Sequence, residues 1–390
     1  MKTERKNIGA VIVLTGGIFS AFYFLMPALF SREYDFDIDP NLNAKAAEVG
    51  DAISKAPEFI ATHVPTPEPL KAIYITACVA SVPSWRTKLA HMIDTTELNA
   101  VVIDVKDYSG TIAYFPTNPK LKEVLGTGCR VRDLREFVAS LHEKNIYVIG
   151  RITVFQDPAY TNAHPELAVK KADGVTVWKD RKGLSFIDVS AKPYWEYITT
   201  LALDTYAQGF DEINFDYIRF PSDGNMQDIS YTWTGTTTKP LALEKFFTYL
   251  EEKVKPSGAV ISADLFGMVT TNTDDLGIGQ VLEPALRHFD YVAPMVYPSH
   301  YPPQFNGWAN PNQHVYEVVH YAMSRAVLRA KTASTTPTKL RPWLQDFDYG
   351  GNYGAVEVRA QIQATYDSGL TSWMLWDPGN LYTVSALKAE

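Results

Sequence analysis

The feature that most constrains this chain is a repeated alternation of short apolar runs with amphipathic segments from residue 71 onward. Eight runs are predicted to be strands, most of them from their apolar composition and the fourth from its period-two alternation; they comprise residues 72–79, 100–105, 146–154, 213–217, 259–269, 291–298, 340–347 and 371–376. Helices are predicted between them at residues 85–95, 131–144, 194–208, 241–255, 315–330 and 355–367. Eight strands that alternate with helices predict an α/β fold of the (β/α)8 TIM barrel type.

Acidic side chains recur where these runs end. Asp104, Asp216, Asp264, Asp346 and Asp377 close or follow the second, fourth, fifth, seventh and eighth runs. The catalytic groups of (β/α)8 barrels project from this end of the strands. Chance would scatter the acids over both ends, so the pattern predicts an active site at the barrel mouth.

The stretch 209–223, GFDEINFDYIRFPSD, holds a dense group of charges around the fourth strand. Asp216 lies near the end of this strand, Arg219 follows it, and Pro221 stops it because proline cannot donate to a sheet. A carboxylate and an arginine at this position are costly to bury unless they are paired or used. A solvated strand edge is the alternative interpretation.

This stretch, GFDEINFDYIRFP, resembles the signature of a family of glycoside hydrolases with an α-amylase-like barrel. NAVVIDVKDYSG at 99–110 and YVAPMVYPSHY at 291–301 support the resemblance, which covers about residues 71–387. In α-amylase-like barrels the nucleophile is an aspartate of strand four, and the acid comes from strand five. The resemblance therefore implies Asp216 as nucleophile and Asp264 as acid/base, although the amylase acid is a glutamate. Asp104 and Asp346 are the alternatives.

Glycoside hydrolysis needs two carboxyl groups that flank the scissile bond, and neighbouring strand ends could supply them. Arg151 or Arg219 could pair with the strand-four carboxylate and keep it ionised. Aromatic rings near the strand ends could stack on sugar faces. The candidate substrate-binding residues are Arg151, Arg219, Tyr297, Tyr301, Trp343, Trp376 and Asp377. Asp346 and Asp377 could instead cap turns, a common role of aspartate in loops.

The composition bears on partners and cofactors. The net charge is −8 and no basic stripe is visible, which argues against a nucleic-acid partner. No run has the spacing of a calcium loop or a CxxC metal motif, so we expect no cofactor and no obligatory metal. A bridge between the two cysteines, Cys78 and Cys129, is possible but is not the default expectation, because Cys78 falls in a predicted buried strand.

The N-terminal segment predicts a membrane anchor. Residues 8–30 carry no charge and follow Lys2, Arg5 and Lys6. Roughly 23 apolar residues make a helix of about 35 Å, enough to cross a bilayer, and the preceding positive charges place the rest of the chain outside the cytoplasm. We therefore predict a signal anchor at 1–30, a proline-punctuated linker at 31–70 and the barrel at 71–390. Secretion after cleavage of a signal peptide is the alternative.

These features predict a glycoside hydrolase or transglycosylase that acts on an extracellular or cell-wall polysaccharide. A barrel that binds carbohydrate without cleaving it would keep the aromatic rings but would not need two carboxyl groups at bond-flanking distance. A polysaccharide deacetylase would need a His/Asp metal cluster, and the histidines do not converge in the sequence.

Overall fold

Eight parallel strands close into a barrel in the computed structural model, which describes residues 59–389. Each strand pairs with its neighbours in chain order, and the last pairs with the first, as the predicted (β/α)8 barrel requires. The strands are β1 Lys71–Ile75, β2 Ala100–Lys106, β3 Tyr147–Thr153, β4 Glu212–Asp216, β5 Val260–Phe266, β6 Tyr291–Met295, β7 Trp343–Gln345 and β8 Trp373–Trp376. The predicted fold class is thus confirmed for this part of the chain.

Helices surround the barrel. They are α1 Ala77–Ala80, α2 Pro83–Asp94, α3 Leu134–His142, α4 Pro158–Ala163, α5 Lys192–Ala207, α6 Lys239–Val254, α7 Leu282–His288, α8 Val315–Thr332 and α9 Ala355–Asp367. The six predicted helices correspond to α2, α3, α5, α6, α8 and α9. The sequence patterns did not predict the three shortest helices, α1, α4 and α7.

The hydrophobic core has two regions: one lies between the helices and the barrel, and the other lies inside the barrel. The helix α3 is typical of the outer region: it buries Leu134, Phe137, Val138 and Leu141 at helical spacing against the barrel. The inner region fills the barrel itself, where small and large residues interdigitate. Its main members are Leu70, Ala72, Tyr74, Ala100, Val102, Tyr147, Ile149, Ala293, Tyr297, Trp343 and Met374.

The strand β4 turns a polar row towards the barrel interior. Ile213 and Phe215 face the outer core, so the period of two directs Glu212, Asn214 and Asp216 inward. At the N-terminal end of the barrel, Glu212 accepts a hydrogen bond from Arg341 Nη1 at 2.9 Å. Asp216 comes last in the strand and therefore lies at the barrel mouth.

A β-bulge separates two charged residues of β2. The register with β3 shifts between Asp104 and Lys106, so Asp104 pairs with Arg151 and Lys106 with Ile152. An extra residue in a strand re-aims the side chain that follows it. Lys106 leaves the row that contains Asp104, and its Nζ lies 2.8 Å from Asp157 Oδ2.

Cys78 is bonded to Cys129, so the expectation of an unbridged Cys78 in a buried strand was wrong. The first strand ends at Ile75, earlier than its apolar run. Thr76 then caps α1, with its Oγ1 accepting from the Val79 backbone, and Cys78 lies exposed on that short helix. The turn is invisible in the apolar pattern because α1 also buries Ala77 and Ala80.

The predicted anchor at 8–30 and most of the predicted linker lie outside the described residues. The described end of that linker contacts the barrel: the Val64 backbone donates to Asp211 Oδ1 at 2.7 Å, and Leu70 is fully buried. Within residues 59–389, no helix combines the length and apolar character that a membrane span requires.

Candidate active site

Arg151 lies at the centre of the barrel mouth, between three aspartates. Its Nη1 donates to Asp104 Oδ1 at 2.6 Å, and its Nε and Nη2 donate to Asp216 Oδ2 at 3.1 and 2.5 Å. Asp264 Oδ2 is 3.9 Å from Nε. All four side chains are nearly inaccessible to water, so the charge of Arg151 balances carboxylates that would otherwise be costly to bury.

Asp264 is held asymmetrically. Its Oδ1 accepts hydrogen bonds from Asn214 Nδ2 at 2.9 Å and from Trp343 Nε1 at 2.8 Å. Its Oδ2 is buried and accepts no hydrogen bond. Burial, and then the negative charge of Asp216, raise the pKa of Asp264 well above its ordinary value. A proton on Asp264 would therefore reside on Oδ2, because both donors occupy Oδ1.

Asp216 is held by donors on both oxygens. Besides the two contacts from Arg151 to Oδ2, the Tyr217 backbone N–H donates to Oδ1 at 2.6 Å. Tyr217 adopts a φ of 53°, in the left-handed region that a bulky residue rarely occupies. Such strain persists only where the surroundings enforce it, and it occurs here at the residue next to Asp216.

A cavity of about 260 Å³ opens above these groups. Asp216, Asp264 and Arg151 form its floor. The remaining lining residues are Tyr217, Arg219, Phe266, Gln280, Met295, Tyr297, His300 and Trp376. The hydroxyl of Tyr297 is buried without a hydrogen-bond partner, so it can donate to a bound molecule. The cavity therefore combines two carboxyl groups of different environment with free polar groups and aromatic surface.

Asp104 supports this floor from below. Its Oδ1 is occupied by Arg151, and its Oδ2 accepts a hydrogen bond from the Tyr74 hydroxyl at 2.5 Å. Burial raises the pKa of Asp104. Asp104 does not line the cavity, so its contacts favour a positioning role for it rather than contact with a substrate.

The predicted residues Asp346 and Asp377 lie outside the cavity. Asp346 accepts from the backbone N–H and hydroxyl of Thr383 at 2.9 and 2.6 Å, and burial raises its pKa to about 6. Asp377 accepts from the backbone N–H groups of Gly379 and Leu381. Both carboxylates thus fix the segment that follows β8, which fits the turn-capping alternative.

Two of the four rings that were predicted to stack on sugar line the cavity. Trp376 lines the cavity, with Tyr74 stacked on its ring at 3.8 Å and the Arg151 guanidinium 4.9 Å from its centroid. Tyr297 also lines the cavity. Trp343 has no exposed surface, and Tyr301 is buried beside Phe305, so neither ring offers a face to a sugar.

Sequence reasoning missed several residues of the site. Asn214 could have been found, because it lies two residues before Asp216 and must therefore share its face. Tyr74 gives no signal within an apolar run, and the strain of Tyr217 is a backbone property. Tyr349, 63% exposed with its ring 6.2 Å from that of His300, is an accessible aromatic ring beside the cavity. Within residues 59–389, no three His, Cys, Asp or Glu side chains form a group that could hold a metal ion.

Comparison with known proteins gives a family and several structural neighbours. A family model described as "Putative glycosyl hydrolase domain" matches residues 72–382. No curated protein matches the chain. Among solved structures, a hypothetical protein from Ruminiclostridium thermocellum ATCC 27405 is 31% identical, with 53% of this chain and 98% of that chain covered and a TM-score of 0.45.

Two further structures are similar at lower identity. The PgaB (BpsB) glycoside hydrolase domain from Bordetella bronchiseptica is 16% identical, with 80% of this chain and 94% of that chain covered and a TM-score of 0.58. A chitinase from Chromobacterium violaceum ATCC 12472 is 12% identical, with coverages of 82% and 98% and a TM-score of 0.46. The Bordetella domain shares the fold of this chain.

Proposed function

This chain belongs to the glycosyl hydrolase family whose model matches residues 72–382, and we propose that it cleaves glycosidic bonds of an extracellular or cell-wall polysaccharide. In this proposal Asp264 is the general acid and Asp216 is the nucleophile or the base. The family membership confirms the resemblance noted in the sequence and implies a carbohydrate substrate. The residue roles rest on the geometry of the cavity.

The observation that carries the proposal is the different bonding of the two carboxyl groups. Asp216 receives three hydrogen bonds from donors, as suits an ionised carboxylate. Asp264 Oδ1 accepts two hydrogen bonds, whereas Oδ2 accepts none. This arrangement suits a carboxylic acid that holds a proton on Oδ2 for transfer. Glycoside hydrolysis requires this division between one acid and one ionised carboxylate.

The separation of the two groups also fits hydrolysis. Asp216 Oδ2 and Asp264 Oδ2 lie 3.1 and 3.9 Å from the same nitrogen, Arg151 Nε, so they are at most about 7 Å apart. Retaining enzymes place the two carboxyl groups about 5–5.5 Å apart and inverting enzymes about 6.5–9.5 Å apart. This upper limit is compatible with a catalytic pair and with either stereochemical outcome.

The chemistry follows from these positions. Asp264 transfers its Oδ2 proton to the glycosidic oxygen while the bond from that oxygen to the anomeric carbon breaks. In the retaining case Asp216 attacks the anomeric carbon, and water, deprotonated by the Asp264 carboxylate, then releases the sugar. In the inverting case Asp216 takes a proton from the attacking water. Arg151 keeps Asp216 oriented in either case.

The test is the release of reducing ends from a panel of cell-wall and exopolysaccharides by the full chain in mild detergent. We expect cleavage by the wild type and none by Asp216→Asn, with the same thermal unfolding for both proteins. Asp94→Asn, which removes an exposed acid remote from the cavity, is the matched control and keeps activity. Proton NMR of the first product anomer decides between retention and inversion.

A folded Asp216→Asn protein with wild-type activity would refute the assignment. Binding of one polysaccharide by both proteins, without cleavage by either, would support the carbohydrate-binding alternative instead.

We also infer that the barrel lies outside the cytoplasm. The disulfide between Cys78 and Cys129 supports this location, because such bonds persist in oxidising compartments. The apolar, charge-free residues 8–30 are consistent with an anchor that delivers the barrel there. Protease added to intact cells should degrade the barrel if it is exposed on their surface. Material released into the medium without residues 8–30 would support secretion over anchoring.

A further inference from the structure

Arg219 is a charged side chain of the cavity that the proposed reaction does not use. It follows β4 and lines the same cavity as Asp216 and Asp264. Its Nη1 donates to the Phe220 carbonyl and to Ser222 Oγ, both at 3.1 Å. Within residues 59–389, no carboxylate oxygen lies within 4.0 Å of its guanidinium, whereas Arg151 on the same floor contacts three aspartates.

The guanidinium is also fixed in place. It lies over the ring of Tyr217, with Cζ 5.3 Å from the ring centroid, and the strained backbone of Tyr217 sets that ring. Arg219 is half-buried, and this burial lowers the pKa of its guanidinium. A pre-organised arginine loses little side-chain entropy when it binds an anion.

The other bases of the cavity do not replace it. Arg151 is already paired with carboxylates. His300 has its pKa lowered by burial, so its ring is uncharged at neutral pH. Among the described residues that line this cavity, Arg219 is therefore the cation that can pair with an anionic ligand.

We propose that Arg219 binds an anionic substituent of the sugar beside the scissile bond, so that the substrate is an acidic glycan. This inference rests on the proposed function, because it takes the cavity as the substrate site. A carboxylate of a uronic acid matches the planar fork of a guanidinium, and a sulfate ester presents similar oxygens. The competing role for Arg219 is long-range support of the Asp216 charge, which would affect neutral and acidic substrates equally.

The experiment compares glycans that differ only in charge. Polygalacturonate and hyaluronan are each paired with their carboxyl-reduced counterparts, and dextran sulfate is paired with dextran. Binding is measured by calorimetry with the full chain carrying Asp264→Asn, so that cleavage does not interfere. We expect at least one acidic glycan to bind more tightly than its neutral counterpart. Adding Arg219→Gln should weaken that binding roughly 10- to 100-fold, as expected for a charge-assisted hydrogen bond.

Two further variants sharpen the comparison. Arg219→Lys keeps the charge and should retain part of the affinity. Arg181→Gln removes an exposed arginine, paired with Asp223 at 3.2 Å on the same side of the barrel, and should leave binding unchanged. If the tighter binding of polygalacturonate or hyaluronan over its carboxyl-reduced counterpart requires Arg219, the anionic group is the carboxylate of a uronic acid. If only the tighter binding of dextran sulfate over dextran requires Arg219, the anionic group is a sulfate ester.

Equal binding of charged and neutral glycans, an equal loss for both in Arg219→Gln, or no binding of any acidic glycan would overturn the inference. Arg219-dependent binding of acidic glycans, with no cleavage of any glycan of either charge by the wild type, would count against the hydrolase and leave the anion site. Cleavage of neutral glycans alone would support the hydrolase and contradict the anion site.

Discussion

Three aspartates contact one arginine at the barrel mouth, and their other hydrogen bonds distinguish them. Asp104 uses both oxygens within the protein, on Arg151 and Tyr74. Asp216 has donors on both oxygens and still faces the cavity. Asp264 alone keeps an oxygen that accepts no hydrogen bond, although this oxygen lies 3.9 Å from Arg151 Nε. Burial is similar for all three, so it is the placement of hydrogen-bond donors that supports the different roles proposed for them.

The acid role of Asp264 predicts a dependence on the leaving group. In Asp264→Asn, we expect kcat/KM for a natural oligosaccharide to fall about 10²- to 10⁴-fold, because no proton reaches the leaving oxygen. A dinitrophenyl glycoside needs no such proton, so its cleavage should fall far less. Steady-state kinetics on both substrates check this. Equal losses on both would assign Asp264 to another role.

The raised pKa of Asp264 predicts a pH dependence with a definite sign. Above the ordinary value of 3.8 and below the raised one, the folded protein binds a proton that the unfolded chain has lost. The contribution of Asp264 to the free energy of unfolding therefore falls as pH rises through this window. Denaturant titrations should show the stability of Asp264→Asn improving relative to wild type with rising pH. A difference that is constant with pH would contradict this.

For single residues, the sequence predicted which acids lie at the ends of the strands, but it did not predict their hydrogen-bond partners. Asp216 and Asp264 were predicted because acids at strand ends are visible in the pattern. The donors that give them different environments are Asn214 and the Tyr217 backbone, and their positions depend on side-chain and backbone geometry that the sequence pattern does not show. Trp343 was predicted to stack on a sugar, but its ring lies inside the barrel and its Nε1 donates a hydrogen bond to Asp264 Oδ1.

Among the elements, strands were predicted better than the segments that join them. Most of the strands were found from the apolar runs that are typical of burial on both faces, and β4 was found from its period-two alternation. The same pattern hid the end of β1, because α1 continues the apolar run on the other side of Thr76. It also hid α7, which is too short to show a helical period.

The junction after β5 gives a prediction for an element. A Cβ on Gly267 would lie 2.2 Å from the Met295 carbonyl oxygen, at the last residue of β6. Gly267→Ala must therefore push apart the ends of the strands that lead to Asp264 and Tyr297. We expect a loss of roughly 1–3 kcal/mol in the free energy of unfolding, and a lower kcat because the acid is displaced.

Gly354→Ala is the matched control for this change, because the nearest atom to its Cβ would be 3.5 Å away, an ordinary contact. Thermal unfolding and kinetics of both variants provide the measurement. A Gly267→Ala protein as stable and as active as the Gly354→Ala protein would show that the two strand ends can separate freely.

For the whole molecule, the closed barrel follows from hydrophobic periodicity alone, whereas its cross-link does not. Two cysteines in a sequence reveal neither their distance nor their exposure. The bridge from Cys78 to Cys129 spans 51 residues and joins α1, which follows β1, to the loop before α3. It therefore restrains a segment that contains α2 and β2, while Asp216 and Asp264 lie outside that segment.

Because of the disulfide between Cys78 and Cys129, the stability of the barrel should depend on the surrounding redox conditions. Closing a loop of this length restricts the unfolded chain by about 4 kcal/mol in the entropic description. We therefore expect Cys129→Ala to unfold at a lower temperature than wild type while the folded protein remains active, because both carboxyl groups lie outside the loop. Dithiothreitol should lower the unfolding temperature of the wild type towards that of Cys129→Ala and leave the variant unchanged. An equal effect of the reductant on both proteins would mean that the bridge does not stabilise the fold, and the argument for an oxidising location would lose its support.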